Sequence, residues 1–93
     1  MVARRYVVTG RVQGVGYRNF VEHTAGKIKV SGYVRNRQDG SVEVLGIGTP
    51  EQLHLLRRAL EKGPMMAQVK QVDEEPSEVE PKYLRIFTIE FTE

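Results

Sequence analysis

The chain has 93 residues, enough for one domain with a modest core and no more. Hydrophobic residues make up 40% and charged residues 28%, an ordinary balance for a globular protein, and the lack of cysteine excludes disulfides, thiolate catalysis and cysteine-held metals. Residues 1–5, Met-Val-Ala-Arg-Arg, lead into a strand-like segment with no secretory leader, and no stretch reaches membrane-spanning length, so one soluble cytoplasmic domain over 1–93 is expected.

Net charge is +2, but it is unevenly spread: residues 1–40 carry eight Lys/Arg against two acids, and residues 41–93 carry six against ten. A basic half suits an anionic ligand, and it equally suits solvated faces that differ in sign.

Arg5–Val12 alternates apolar and polar residues and reads as a strand. It ends in a glycine-rich turn, Gln13–Tyr17, after which Val21, Ala25 and Ile28 mark one face of a helix beginning at Arg18 and broken at Ser31-Gly32. Tyr33–Arg37 and Ser41–Ile47 are two strands joined across Gln38-Asp39-Gly40, since Asp-Gly between alternating runs signals a hairpin. Thr49, Pro50 and Gln52 form the start of a second helix with a capping box, its apolar stripe is Leu53, Leu56 and Leu60, and Gly63-Pro64 stops it. Ala67–Val72 is a fourth strand. The acidic, proline-containing stretch Asp73–Pro81 reads as a solvent-facing loop, and Leu84–Phe91 returns to strand alternation with Phe87, Ile89 and Phe91 on one face. His23 and His54 read as surface residues, and Met65-Met66 as packing.

The order β-α-β-β-α-β with a short final strand predicts an α/β (α+β) sandwich of the ferredoxin-like type. Its two helices would cover one face of a four- to five-stranded antiparallel sheet. That fold hosts many activities and decides none.

Gly14-Val15-Gly16-Tyr17-Arg18 lies between a strand and a helix start, where glycines let several N–H groups converge and the helix adds partial positive charge. Arg18 offers a guanidinium fork to a phosphate. The P-loop pattern fails because no Lys-Ser/Thr follows, and the dinucleotide pattern fails because Asn19 stands where a third glycine is needed. Taken alone, the segment is equally a structural turn before a helix, with Arg18 paired to Glu22 one helical turn on.

The segments Gly10-Arg-Val-Gln-Gly-Val-Gly-Tyr-Arg18 and Gly32-Tyr-Val-Arg-Asn-Arg-Gln-Asp-Gly-Ser-Val-Glu-Val44 resemble, in order and spacing, the two signatures of the acylphosphatase family. The resemblance continues through Gly63-Pro64, Ala67 and Val69 to Phe87–Phe91, essentially the whole chain. It implies hydrolysis of a small-molecule acyl phosphate to carboxylate and inorganic phosphate. It also implies that Arg18 and the amides of Gly14, Val15, Gly16, Tyr17 and Arg18 bind the phosphate, and that Asn36 positions the attacking water. No metal and no organic cofactor is implied. Tyr17 and Tyr33 stand where the family often has phenylalanine and tryptophan. Asn36 could instead hydrogen-bond local backbone near its turn.

A rival class is an RNA-binding module of the same strand order, whose third strand carries stacking aromatics. Ser41–Ile47 has no aromatic and one acid, which argues against it and against a nucleic-acid partner. A third reading is a phosphate-binding domain of a larger carbamoyl-transfer system. A free-standing monomer with no membrane partner is the expectation.

Overall fold

Strand β1, Val2–Arg11, opens the fold in a computed structural model that describes residues 1–92. Helix α1 (Tyr17–Ile28), strands β2 (Ser31–Asn36) and β3 (Val42–Gly48), helix α2 (Pro50–Lys62) and strand β4 (Gln68–Ser77) follow, then a 3₁₀ turn (Pro81–Tyr83) and a short strand β5 (Phe87–Ile89). Both helices pack on one face of a sheet ordered β4-β1-β3-β2-β5, as the ferredoxin-like reading requires.

Burial follows from the alternation. Tyr6 and Val8 of β1, Val34 of β2, Val42 and Val44 of β3 and Val72 of β4 meet Val21 and Ala25 of α1 and Leu53, Leu56 and Leu60 of α2. The opposite face carries a smaller cluster, Ala3, Tyr33, Leu45, Ile47 and Tyr83. Central β3 is therefore buried on both faces along its whole length. Helix α2 starts as read: Thr49 Oγ1 accepts from Gln52 N–H at 3.1 Å, and Gln52 Oε1 accepts from Thr49 N–H at 2.8 Å. At the β2–β3 hairpin, Asp39 accepts from the Ser41 amide at 2.9 Å and from its hydroxyl at 2.6 Å.

Several expectations are corrected. Strand β1 begins at Val2 rather than Arg5, because Val2, Ala3 and Arg4 pair with Gly48, Ile47 and Gly46. The first part of the acidic stretch is no loop: Asp73–Ser77 extends β4 alongside Val7–Ala3 of β1. The acids there meet arginines, Glu74 with Arg4 and Arg57 at 2.7 Å each and Glu75 with Arg5 at 2.7 Å. Pro76 is tolerated because β4 is an edge strand with nothing further to bond. The sheet is also mixed, since β5 runs parallel to β2. Strand β4 points the same way as β3, so the chain leaves it at the sheet end where β2 begins and enters the far edge running with β2. β5 spans only Phe87–Ile89, Arg85 takes φ 65°, and Phe91 is exposed rather than sharing the packed face of Phe87 and Ile89. Met65 and Met66 are exposed too rather than part of the core, because they follow the helix stop at Gly63-Pro64 into a surface turn. His23 and His54 lie on the surface as read.

Tyr17 is 1% exposed, and its hydroxyl donates to the Leu60 carbonyl of α2 at 2.7 Å, linking the start of α1 to the end of α2. Tyr17→Phe leaves that carbonyl without its donor and is expected to cost about 1 kcal/mol. For a chain of this size that lowers Tm by roughly 4–8 °C in a thermal melt; an unchanged Tm would mean the bond contributes nothing.

Candidate active site

β1 and β2 both pair antiparallel with β3, so they run in the same direction and end at the same edge of the sheet. Two strand spacings, about 10 Å, separate those ends. A crevice outside the carboxyl ends of strands is where open α/β sheets take ligands. Here one wall is the Val12–Gly16 loop leading into α1, and the other is the end of β2 at Asn36.

The loop is built by its glycines. Gly14 and Gly16 take φ of 74° and 77°, and Val15 between them does not share that sign. Such alternation turns successive N–H groups toward one concavity, and only glycine enters the left-handed region without a Cβ penalty. Gly16 caps α1 with no side-chain hydrogen bond. The first helical bond is Phe20 N–H to Gly16 O, at 3.0 Å. Among the described residues the N–H groups of residues 14–19 have no acceptor. They meet the partial positive charge of the helix end.

These elements enclose a cleft of about 300 Å³, lined by Val12, Gly14, Gly16, Tyr17, Arg18, Asn19, Asn36 and Ile89. The structure thus brings Arg18 and Asn36, read from separate segments, into one cleft. Arg18 is half-buried and forms no pair with Glu22, nor any ion pair or hydrogen bond among the described residues. Among the described residues the Asn36 carboxamide has no backbone partner, so the local-turn reading finds no bond to support it. Asn19 and Ile89 also line the cleft and were not read from the sequence. Asn19 follows Arg18 on the helix, whereas Ile89 arrives only because β5 runs beside β2. Apart from Arg18, the only titratable side chain in the lining among the described residues is Tyr17. Burial raises its phenol above the ordinary value, and its hydroxyl is engaged by Leu60.

Two sets of contacts hold Asn36 in place. Gln13, which precedes Gly14, donates from Nε2 to the carbonyls of Arg37 at 2.8 Å and Ser41 at 2.9 Å. On the opposite face of the sheet, Arg35 and Arg37, which flank Asn36, converge on Glu43, at 3.0 and 2.9 Å. Glu43 is 1% exposed and also accepts from the Tyr33 hydroxyl. Gln13 and Glu43 were missed at the sequence level: a polar residue beside a glycine turn was a weak signal for the first, and nothing marked the second as buried.

A larger cavity, about 660 Å³, lies toward the opposite end of β1, lined in part by Ala3, Arg4, Leu53, Arg57 and Glu74. Its arginines are neutralised by Glu74, so it does not offer an anion the free charge found in the cleft.

Burial alone would raise the Glu43 carboxyl, but hydrogen bonds from Tyr33 and Arg37 and the charges of Arg35 and Arg37 more than offset it, leaving the carboxyl below the usual range. A depressed folded pKa gives stability that is present above the ordinary value of about 4.3 and lost as pH falls through the folded value. Glu43→Gln is expected to lower stability by roughly 2 kcal/mol at neutral pH. Urea titrations should show the difference from wild type shrinking as pH falls below the ordinary carboxylate range; a difference independent of pH would contradict this account.

The model of the acylphosphatase family matches residues 4–89. The chain is 52% identical over 89 residues to an acylphosphatase of Koribacter versatilis (strain Ellin345), covering 96% of this chain and 80% of that one. A solved acylphosphatase from Bacillus subtilis superposes with a TM-score of 0.89 at 38% identity, covering 96% of this chain and 98% of that one. One from Coxiella burnetii gives a TM-score of 0.89 at 30% identity, covering 96% and 92%. With a family match over nearly its whole length and relatives this similar, the chain belongs to the acylphosphatase family, enzymes that hydrolyse acyl phosphates.

Proposed function

We propose that the cleft holds the phosphate of an acyl phosphate on Arg18 and the amides of Gly14, Val15, Gly16, Tyr17 and Arg18, while Asn36 holds the attacking water in line. The observation that carries this reading is the convergence, in one cleft, of an arginine, a run of backbone donors and a carboxamide, none with a partner among the described residues.

Phosphoryl transfer asks the protein mainly for positioning and for charge stabilisation. The water oxygen forms a bond to phosphorus as the bond from phosphorus to the bridging oxygen breaks, and that oxygen leaves as part of the carboxylate. A carboxylate departs without a general acid. Arg18 and the amides offset the charge on the phosphoryl oxygens, and a preorganised donor of this kind is worth about 10²–10³ in rate. Asn36 cannot act as a base, but its carbonyl oxygen can accept a hydrogen bond from water. Among the described residues no carboxylate, histidine or lysine lines the cleft, so in this reading the water proton goes to a phosphoryl oxygen of the substrate itself. The products are then the carboxylate and dihydrogen phosphate. A side-chain pKa in the pH profile of kcat would contradict that route.

The cradle supplies its own positive charge, and the reading needs no metal or organic cofactor. Both walls come from one chain, so it needs no second copy. The substrate is a small molecule recognised by its phosphate.

Three outcomes test the assignment on a simple aryl acyl phosphate. Turnover is expected to persist in EDTA. Arg18→Gln is expected to weaken inhibition by inorganic phosphate and to lower kcat together, by about 10² or more. Asn36→Ala is expected to lower kcat by a similar factor while phosphate inhibition stays close to wild type. Equal loss of phosphate binding in Asn36→Ala would overturn the division of roles, and loss of turnover in EDTA would overturn the metal-free reading.

A further inference from the structure

We infer that Gln13 is a positioning residue that sets Asn36 at its working distance from the phosphate cradle, acting through the carbonyls of Arg37 and Ser41. The inference rests on the proposed roles of the cradle and of Asn36, and it adds a residue to which neither signature reading gave a task.

The cradle and Asn36 belong to strands that do not touch. β1 and β2 are separated by β3, and no backbone ladder joins the 12–16 loop to the end of β2. Each wall could therefore shift against the other without breaking a strand pairing. The Gln13 side chain spans the gap. It is attached to the cradle at the residue before Gly14, and its Nε2 donates to the carbonyl of Arg37, directly after Asn36, at 2.8 Å. The same nitrogen donates to the Ser41 carbonyl across the hairpin at 2.9 Å. No other hydrogen bond among the described residues joins residues 12–19 to residues 36–42.

Chemistry fixes the orientation of the amide. Both partners are carbonyls, which only accept, so the nitrogen must face them and both of its hydrogens are engaged. The two carbonyls are the groups that close the hairpin: Arg37 N–H donates to Ser41 O at 2.9 Å, and Gly40 N–H donates to Arg37 O at 3.2 Å. Gln13 thus grips the hairpin at both ends of its turn, immediately beyond Asn36. In-line attack is sensitive to such placement, and a displacement of about 1 Å can cost roughly 100-fold in rate.

The test compares wild type, Gln13→Met, Asn36→Ala and the double variant, measuring kcat and KM on an aryl acyl phosphate and the inhibition constant of inorganic phosphate. Met retains the length and packing of the side chain and removes both donors. Gln13→Met is expected to lower kcat about 10- to 100-fold and to shift phosphate inhibition less than about twofold. In the Asn36→Ala background it is expected to lower kcat no further, because the residue it positions is gone. A purely structural residue would lower stability while leaving kcat unchanged, and that result overturns the inference. So does a multiplicative loss in the double variant, or a rise in the phosphate inhibition constant that matches the fall in kcat. Full kcat in Asn36→Ala alone would overturn both the inference and the reading beneath it, so the two failures are distinguishable. If Gln13→Met does not fold, Gln13→Ala is read by the same criteria.

Discussion

Among the described residues the backbone N–H groups of residues 14–19 end without acceptors, whereas the start of α2 is closed by a capping box. The contrast between the two helix starts shows this best. At α2, Thr49 and Gln52 close the N-terminus with reciprocal hydrogen bonds, and Pro50 removes one donor altogether. At α1, a left-handed glycine caps the helix and no side chain reaches in. Unsatisfied donors are costly, about 1–3 kcal/mol each when buried, and here they face a cleft that solvent or an anion can enter. The open start of α1 is where the fold forgoes local stability, and the site depends on it.

Charge supports the same division. The basic first half of the sequence does not produce a basic face, because most of its arginines meet acids from the second half: Arg4 and Arg5 lie against Glu74 and Glu75, and Arg35 and Arg37 against Glu43. These pairs clamp β1 to β4 and fasten the segment that carries Asn36. Arg18 is an exception, half-buried in the cleft with no carboxylate partner among the described residues. A guanidinium presented in that way can hold a phosphate without first releasing a competing acid.

Much of this was legible in the sequence. Local signals were strong where a single residue type meets a single geometric need: the capping box at Thr49, the Asp39-Gly40 turn and the glycines of the cradle. Relations between distant segments were harder. Asp73–Ser77 reads as a loop until β1 brings Arg4 and Arg5 to it, and only pairing reveals that Pro76 sits harmlessly on an edge. β5 owes its direction to where β4 ends, a topological fact that alternation cannot carry. Both halves of the candidate site could be named from their motifs, but Gln13 could not, because its role lies in reaching across β3 to two carbonyls. Nothing in the alternation of Ser41–Ile47 marked Glu43 as buried, and it is buried because β3 is central and covered on both sides.

The central claim is that water held at the end of β2 attacks phosphorus, with the phosphate fixed on the opposite wall. Hydrolysis of an aryl acyl phosphate in ¹⁸O-labelled water, with mass analysis of both products, tests it most directly. The account predicts the label in inorganic phosphate and none in the carboxylate. Label in the carboxylate would mean that water attacks the acyl carbon, and that the cradle and Asn36 do not work as described.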